Sequence, residues 1–201
     1  MRIGVLGESP AAGCGVDTHD NGFPGCFARE LVARTGRPVQ WEVVGQDAAT
    51  ARRIRYRLLP QLGDDLTLAV LIAGTNDVLA RRAPEQWGDD LAAIVDDLTE
   101  RAEHVVVTGV PPFEAFPSLP TTLGRYLAQR GAAIDEASQQ ICAERPRATW
   151  ISSADFPPEG PDFPPAGPDY FAEDRFHLSA FGYRHWARYV AGHLALGELC
   201  S

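Results

Sequence analysis

The chain has no lysine: each of its 18 basic residues is an arginine. That absence removes several active sites at once, because a Walker A phosphate loop, a pyridoxal Schiff base and a Ser-Lys dyad all need the amine. Cysteine is scarce as well. Cys14, Cys26, Cys142 and Cys200 show no C-x-x-C spacing in 201 residues, so neither a zinc site nor a disulfide framework is suggested and the four read as reduced thiols. No H-E-x-x-H or other ligand spacing occurs, so the sequence implies no metal and no cofactor. Long apolar runs are missing too: nothing approaches the ~20 residues of a membrane helix, and Met1 to Gly7 is too short for a signal core. No membrane span and a cytoplasmic location are therefore expected. Positive charge is in deficit, with Lys+Arg 18 against Asp+Glu 27 and a net charge of -9, a field that repels phosphate backbones and anionic membranes. Nucleic acid is not an expected partner.

What remains suits one globular domain over residues 1–201. Hydrophobic residues make up 45% and charged residues 22%, and a chain of this length buries about 70% of its unfolded surface without staples. Short apolar runs at Ile3 to Leu6, Val39 to Val44, Leu66 to Ala73, Val105 to Val110 and Ala148 to Ile151 alternate with stretches of helical period. In those stretches Phe27 and Leu31, then Trp87, Leu91, Ile94, Val95 and Leu98, then Leu123, Leu127, Ile134 and Ile141 each share a helical face. Gly36 followed by Pro38 ends the first helix, since Gly accepts the left-handed conformation and Pro cannot continue the ladder. Ser179 is placed to cap a last helix carrying Trp186, Val190 and Leu194.

This alternation predicts a three-layer α/β/α sandwich with about five parallel strands in the flavodoxin-like order 2-1-3-4-5. In that order the chain leaves strand 1 in opposite directions, opening a crevice at the carboxyl ends of strands 1 and 3. Functional residues are then expected just after Leu6 and just after Ala73. The proline-rich stretch Ser152 to Glu173 has no periodic apolar face and is predicted as a long loop, of a length that usually carries function.

Gly7-Glu8-Ser9-Pro10 follows strand 1. Taken alone it reads as a helix start with Ser9 as N-cap and Pro10 first in the helix, and a nucleophilic Ser9 needs other residues to support it. It is not the G-x-S-x-G elbow, because Ala11 replaces the second Gly and Pro10 has no N–H to give. Gly74-Thr75-Asn76-Asp77 follows strand 3, where Asn76 offers an amide to an oxyanion or caps a turn. Gly45, at the end of strand 2, offers a bare N–H or simply turns the chain. Asp174-Arg175-Phe176-His177 places a carboxylate where it can accept the imidazole Nδ1–H and leave Nε2 as a base. His19, His104, His185 and His193 read as structural. Strand 5 lies about 14 Å from strand 1 at about 4.8 Å per step, a gap the long loop can cross to bring His177 over Ser9.

These segments together resemble the four blocks of the SGNH or GDSL-type serine hydrolases, with Ser9, Gly45, Asn76 and His177 in order along nearly the whole chain. Glu8 departs from the Asp usual in that family, and Gln46-Asp47-Ala48 departs from its second small residue. The resemblance implies an esterase or lipase-like acyl-ester hydrolase using a catalytic triad of Ser9, His177 and Asp174 and an acyl-enzyme. It also implies an oxyanion hole from the N–H groups of Ser9 and Gly45 and the Asn76 side chain. An acyltransferase with the same triad, or a non-catalytic binding module on the same fold, are the alternatives. Pro111-Pro112-Phe113-Glu114-Ala115-Phe116-Pro117 either lines an acyl pocket or packs its aromatics into the domain. The expected partner is a small-molecule acyl ester, with short, activated acyl chains favoured.

Overall fold

The computed structural model describes residues 1–158 and 160–195; Cys200 lies outside the described residues. Five strands form one parallel sheet in the order β2-β1-β3-β4-β5: β1 (Arg2–Gly7), β2 (Gln40–Gly45), β3 (Leu66–Ile72), β4 (Ala102–Thr108) and β5 (Ala148–Ile151). This is the expected topology. β4 begins ahead of its apolar run because Ala102 pairs with Leu66 across the ladder. The intervening helices are α1 (Ser9–Ala12), α2 (Phe23–Thr35), α3 (Ala51–Arg53), α4 (Thr75–Leu79), α5 (Pro84–Arg101), α6 (Thr121–Ala143) and α7 (Ala180–Gly192), with a π-helical turn Ile54–Leu58 continuing α3.

Both faces of the central strands are covered, which explains why β1 and β3 read as near-continuous apolar runs, whereas edge strand β2 alternates Gln40 and Glu42 with Trp41 and Val43. Ile3, Val5, Leu68 and Val70 share one cluster with Phe23, Phe27 and Leu31 of α2 and Tyr183, Trp186 and Val190 of α7. Leu6, Leu71, Val105 and Val107 point the other way, into a cluster with Trp87, Leu91, Ile94 and Leu98 of α5 and Leu127 and Ile134 of α6. Gly36 closes α2 at φ 68° with its N–H on the Val32 carbonyl. Ser179 Oγ accepts from Gly182 N at 3.2 Å at the start of α7, while Leu194 falls just beyond that helix. No described helix is long and apolar enough to cross a membrane.

One ionic network fixes the turn after β3. Gly74 takes φ 122°, a conformation that residues with a Cβ avoid, and leads into α4. Asp77, fully buried, accepts from Ala51 N at 2.8 Å and from Arg82 Nη1 at 2.8 Å, and Arg82 Nη2 reaches Asp90 Oδ2 at 2.7 Å. Burial pushes the Asp77 carboxyl up, against the pull of these donors. The network ties the α4 turn to the first residue of α3 and to α5. Asp77→Ala is expected to cost about 3 kcal/mol of folding stability, the lower end for breaking a buried pair because Asp90 still holds Arg82. Urea denaturation checks this; an unchanged midpoint would remove the network from the account.

Candidate active site

Glu8 N donates to Ile72 O at 2.9 Å and turns the chain out of the sheet into α1. Glu8, not Ser9, occupies the N-cap position, so Ser9 is the first helical residue and its hydroxyl is not spent on capping. Ser9 Oγ instead donates to Asp47 Oδ1 at 2.8 Å.

Asp174 and His177 form the expected pair. Asp174 Oδ1 accepts the backbone N–H groups of Phe176 and His177, both at 2.9 Å, while Oδ2 lies 2.6 Å from His177 Nδ1. Desolvation, the largest single influence, would raise the Asp174 carboxyl, but these hydrogen bonds together outweigh it and hold the group below its ordinary range. A carboxylate on Nδ1 selects the tautomer whose Nε2 carries the lone pair. The turn itself is pinned by Ala172 N donating to His177 O at 2.8 Å and Ser179 N to Tyr170 O at 2.9 Å.

Ser9, Asn76 and His177 line one cleft of about 480 Å³ at the carboxyl ends of β1 and β3. The long loop contributes Phe156, Tyr170 and Phe171 to its wall. The two readings of the Pro111 to Pro117 segment divide by residue. Phe113 is buried in the core, whereas Phe116 faces the cleft, with ring centroids 5.7 Å from Phe171 and 4.9 Å from Phe176.

Asn76 anchors the turn after β1. Its Nδ2 donates to Glu8 Oε2 at 2.8 Å and, less closely, to Ala49 O at 3.3 Å. Glu8 is 2% exposed and also accepts the N–H groups of Thr75 and Asn76, each at 3.1 Å. Burial raises its pKa from an ordinary 4.5 to about 7, because these neutral donors only partly offset the loss of water. A carboxyl whose folded pKa is raised stabilises the fold fully below its unfolded pKa and loses that contribution as pH climbs through the folded value. From pH 4.5 to somewhat above 7, wild type should therefore lose about 3 kcal/mol relative to Glu8→Gln. Chemical denaturation of both proteins across this range measures the difference; a constant gap would contradict the assignment.

Gly45 does not take the role expected of it. Gln46 N donates to Gly7 O at 3.1 Å, and N–H groups alternate sides along a strand, so the Gly45 N–H faces away from β1 and Ser9. Its missing side chain serves packing: a Cβ there would stand 2.4 Å from Ala12 N and 2.6 Å from the Ala11 carbonyl carbon. Gly45 is thus the point where α1 rests on β2, and it supplies no oxyanion donor. Just beyond it, Ala48 at φ 55° bends the chain so that Asp47 reaches Ser9 and Ala49 O reaches Asn76. Asp47, the hydrogen-bond acceptor of Ser9, is the neighbour that motif reading passes over; its signal is a carboxylate two residues after β2, the strand beside β1.

A family model described as GDSL-like lipase/acylhydrolase matches residues 5–185. No curated protein matches the sequence. Among solved structures, the fold is similar to TesA, 21% identical with a TM-score of 0.73, covering 99% of both chains. It is also similar to the lipase Lip_vut3 from a goat rumen metagenome, 17% identical with a TM-score of 0.70, covering 98% of this chain and 99% of that one. A family 3 carbohydrate esterase from Clostridium thermocellum is 16% identical with a TM-score of 0.71, covering 98% of this chain and 96% of its own.

Proposed function

The chain belongs to the GDSL-like lipase/acylhydrolase family, and from that premise we propose that it is a serine-dependent carboxylic-ester hydrolase. The observation that carries this reading is a single apolar cleft lined by Ser9, Asn76 and His177, with the His177 Nδ1 held by Asp174.

In the proposed reaction the Ser9 hydroxyl turns from Asp47 to His177 Nε2, which takes its proton as Oγ bonds to the ester carbonyl carbon. Asp174 stabilises the imidazolium. The oxyanion is met by the Ser9 N–H, which belongs to a first helical turn without helical acceptors, and by Asn76 Nδ2, redirecting the hydrogen now shared with Ala49 O. The tetrahedral centre then collapses, the leaving alkoxide takes the imidazolium proton, and an acyl-enzyme remains. Water, losing a proton to Nε2, adds to that acyl group, and Ser9 Oγ departs with the proton returned.

The aromatic wall of the cleft favours acyl groups beyond the short chains expected from sequence. Each methylene that enters the cleft contributes about 0.8 kcal/mol, or about a fourfold gain in kcat/KM. A series of aryl esters from acetyl to octanoyl tests both claims. Hydrolysis that rises with chain length is the expected result; no hydrolysis across the series overturns the esterase reading, and a falling profile overturns the assignment of the acyl group to the aromatic cleft.

A further inference from the structure

We propose that the catalytic histidine doubles as a ligand in an inhibitory site for a thiophilic divalent cation such as zinc, formed with Cys14 and Asp47. Spacing along the sequence suggested no metal site, but the folded chain brings these residues together from three separate loops. A ligand atom from each of Cys14, Asp47 and His177 lies within 4.8 Å of the others. The inhibitory half of the proposal rests on the esterase reading; the binding half does not.

The donor set is that of zinc: a sulfur, an imidazole nitrogen and a carboxylate oxygen, with a fourth position left for water. A tetrahedral ion with bonds of about 2.0–2.3 Å wants its donors about 3.5 Å apart, so donors within 4.8 Å of one another need close by no more than about an ångström. Asp47 is exposed. Its Oδ1 holds Ser9, which leaves the other oxygen for the ion. His177 is already oriented, because Asp174 at 2.6 Å from Nδ1 is the carboxylate–histidine arrangement that aims Nε2 at a metal. Cys14 is fixed through its backbone: its N–H donates to Ser9 O at 3.0 Å, and its carbonyl accepts the Tyr183 hydroxyl at 2.7 Å. On binding, the Cys14 thiol proton leaves to solvent as the sulfur–metal bond forms. The ion then occupies the Nε2 lone pair that must receive the Ser9 proton, and turnover stops until a chelator removes it.

The test uses the full chain with cobalt(II) and zinc(II) chlorides. Cobalt reports binding through a thiolate-to-metal charge-transfer band, independently of any ester. The expected result is one cobalt per chain with that band, and zinc inhibition of aryl-ester hydrolysis that a chelator reverses. Cys14→Ala should lose the band and need at least about 10–100-fold more zinc for the same inhibition, while keeping metal-free hydrolysis. Cys14→Ser repeats the comparison with a closer isostere if the alanine variant melts early. No band in wild type, a band that persists in both Cys14 variants, or binding that leaves hydrolysis untouched would each overturn the proposal. A chain that hydrolyses no ester fails the esterase reading, and the inhibitory half with it, whether or not the band appears.

Discussion

Replacing His177 by alanine is expected to lower kcat on an aryl ester by about 10⁴- to 10⁶-fold with little change in KM, the loss typical when a base that acts as one unit with its nucleophile is removed. The size follows from the lack of a substitute. Among the described residues lining the cleft, His177 is the one imidazole. Asp174→Asn should cost about 10⁴-fold by a different route, since an amide at that position no longer selects the tautomer with Nε2 unprotonated. Stability should change little, because Asp174 is exposed and the turn keeps its backbone hydrogen bonds from Ala172 N to His177 O and from Ser179 N to Tyr170 O. Steady-state kinetics settle this, and a loss below about 100-fold would show that another group accepts the proton.

The second large effect is at Asn76. Asn76→Ala is expected to reduce kcat by about 10²- to 10³-fold, as removal of one oxyanion donor does. The residue also anchors buried Glu8, so a purely structural role must be told apart. A lost oxyanion donor lowers kcat and leaves KM nearly constant, because the charge it meets exists only in the transition state. A lost anchor alone would shift the pH dependence of folding, through a Glu8 carboxyl left with fewer donors, and leave kcat at wild type. The kcat–KM split measured beside a denaturation series separates the two.

The fold was largely legible because its signals are local and redundant. Runs such as Leu66 to Ile72 are apolar on both faces, which a doubly covered strand requires, while Gly36 marks a helix end by lacking a Cβ and Ser179 marks a helix start by its hydroxyl. Asp174 and His177 were legible for the same reason: three residues of spacing suffice to set one against the other. The direction of individual polar groups was not. Whether Gly45 offers an N–H or a gap depends on strand parity, which the Gln46 to Gly7 hydrogen bond decides and the sequence does not display. Asp47 and Cys14 are unremarkable loop residues until β2 and β1 pair side by side and bring their ends together. Glu8, which departs from the Asp usual in the family, reaches Thr75 and Asn76 with its longer side chain and becomes a buried carboxyl with a pKa of about 7, which its place in the sequence does not display.

Covalent labelling with a fluorophosphonate, mapped by mass spectrometry, asks most directly whether Ser9 is an activated nucleophile. The account predicts one adduct per chain on the peptide bearing Ser9, abolished in Ser9→Ala and greatly slowed in His177→Ala. A wild-type chain that takes up no probe, or takes it up at another residue with Ser9 intact, would contradict it.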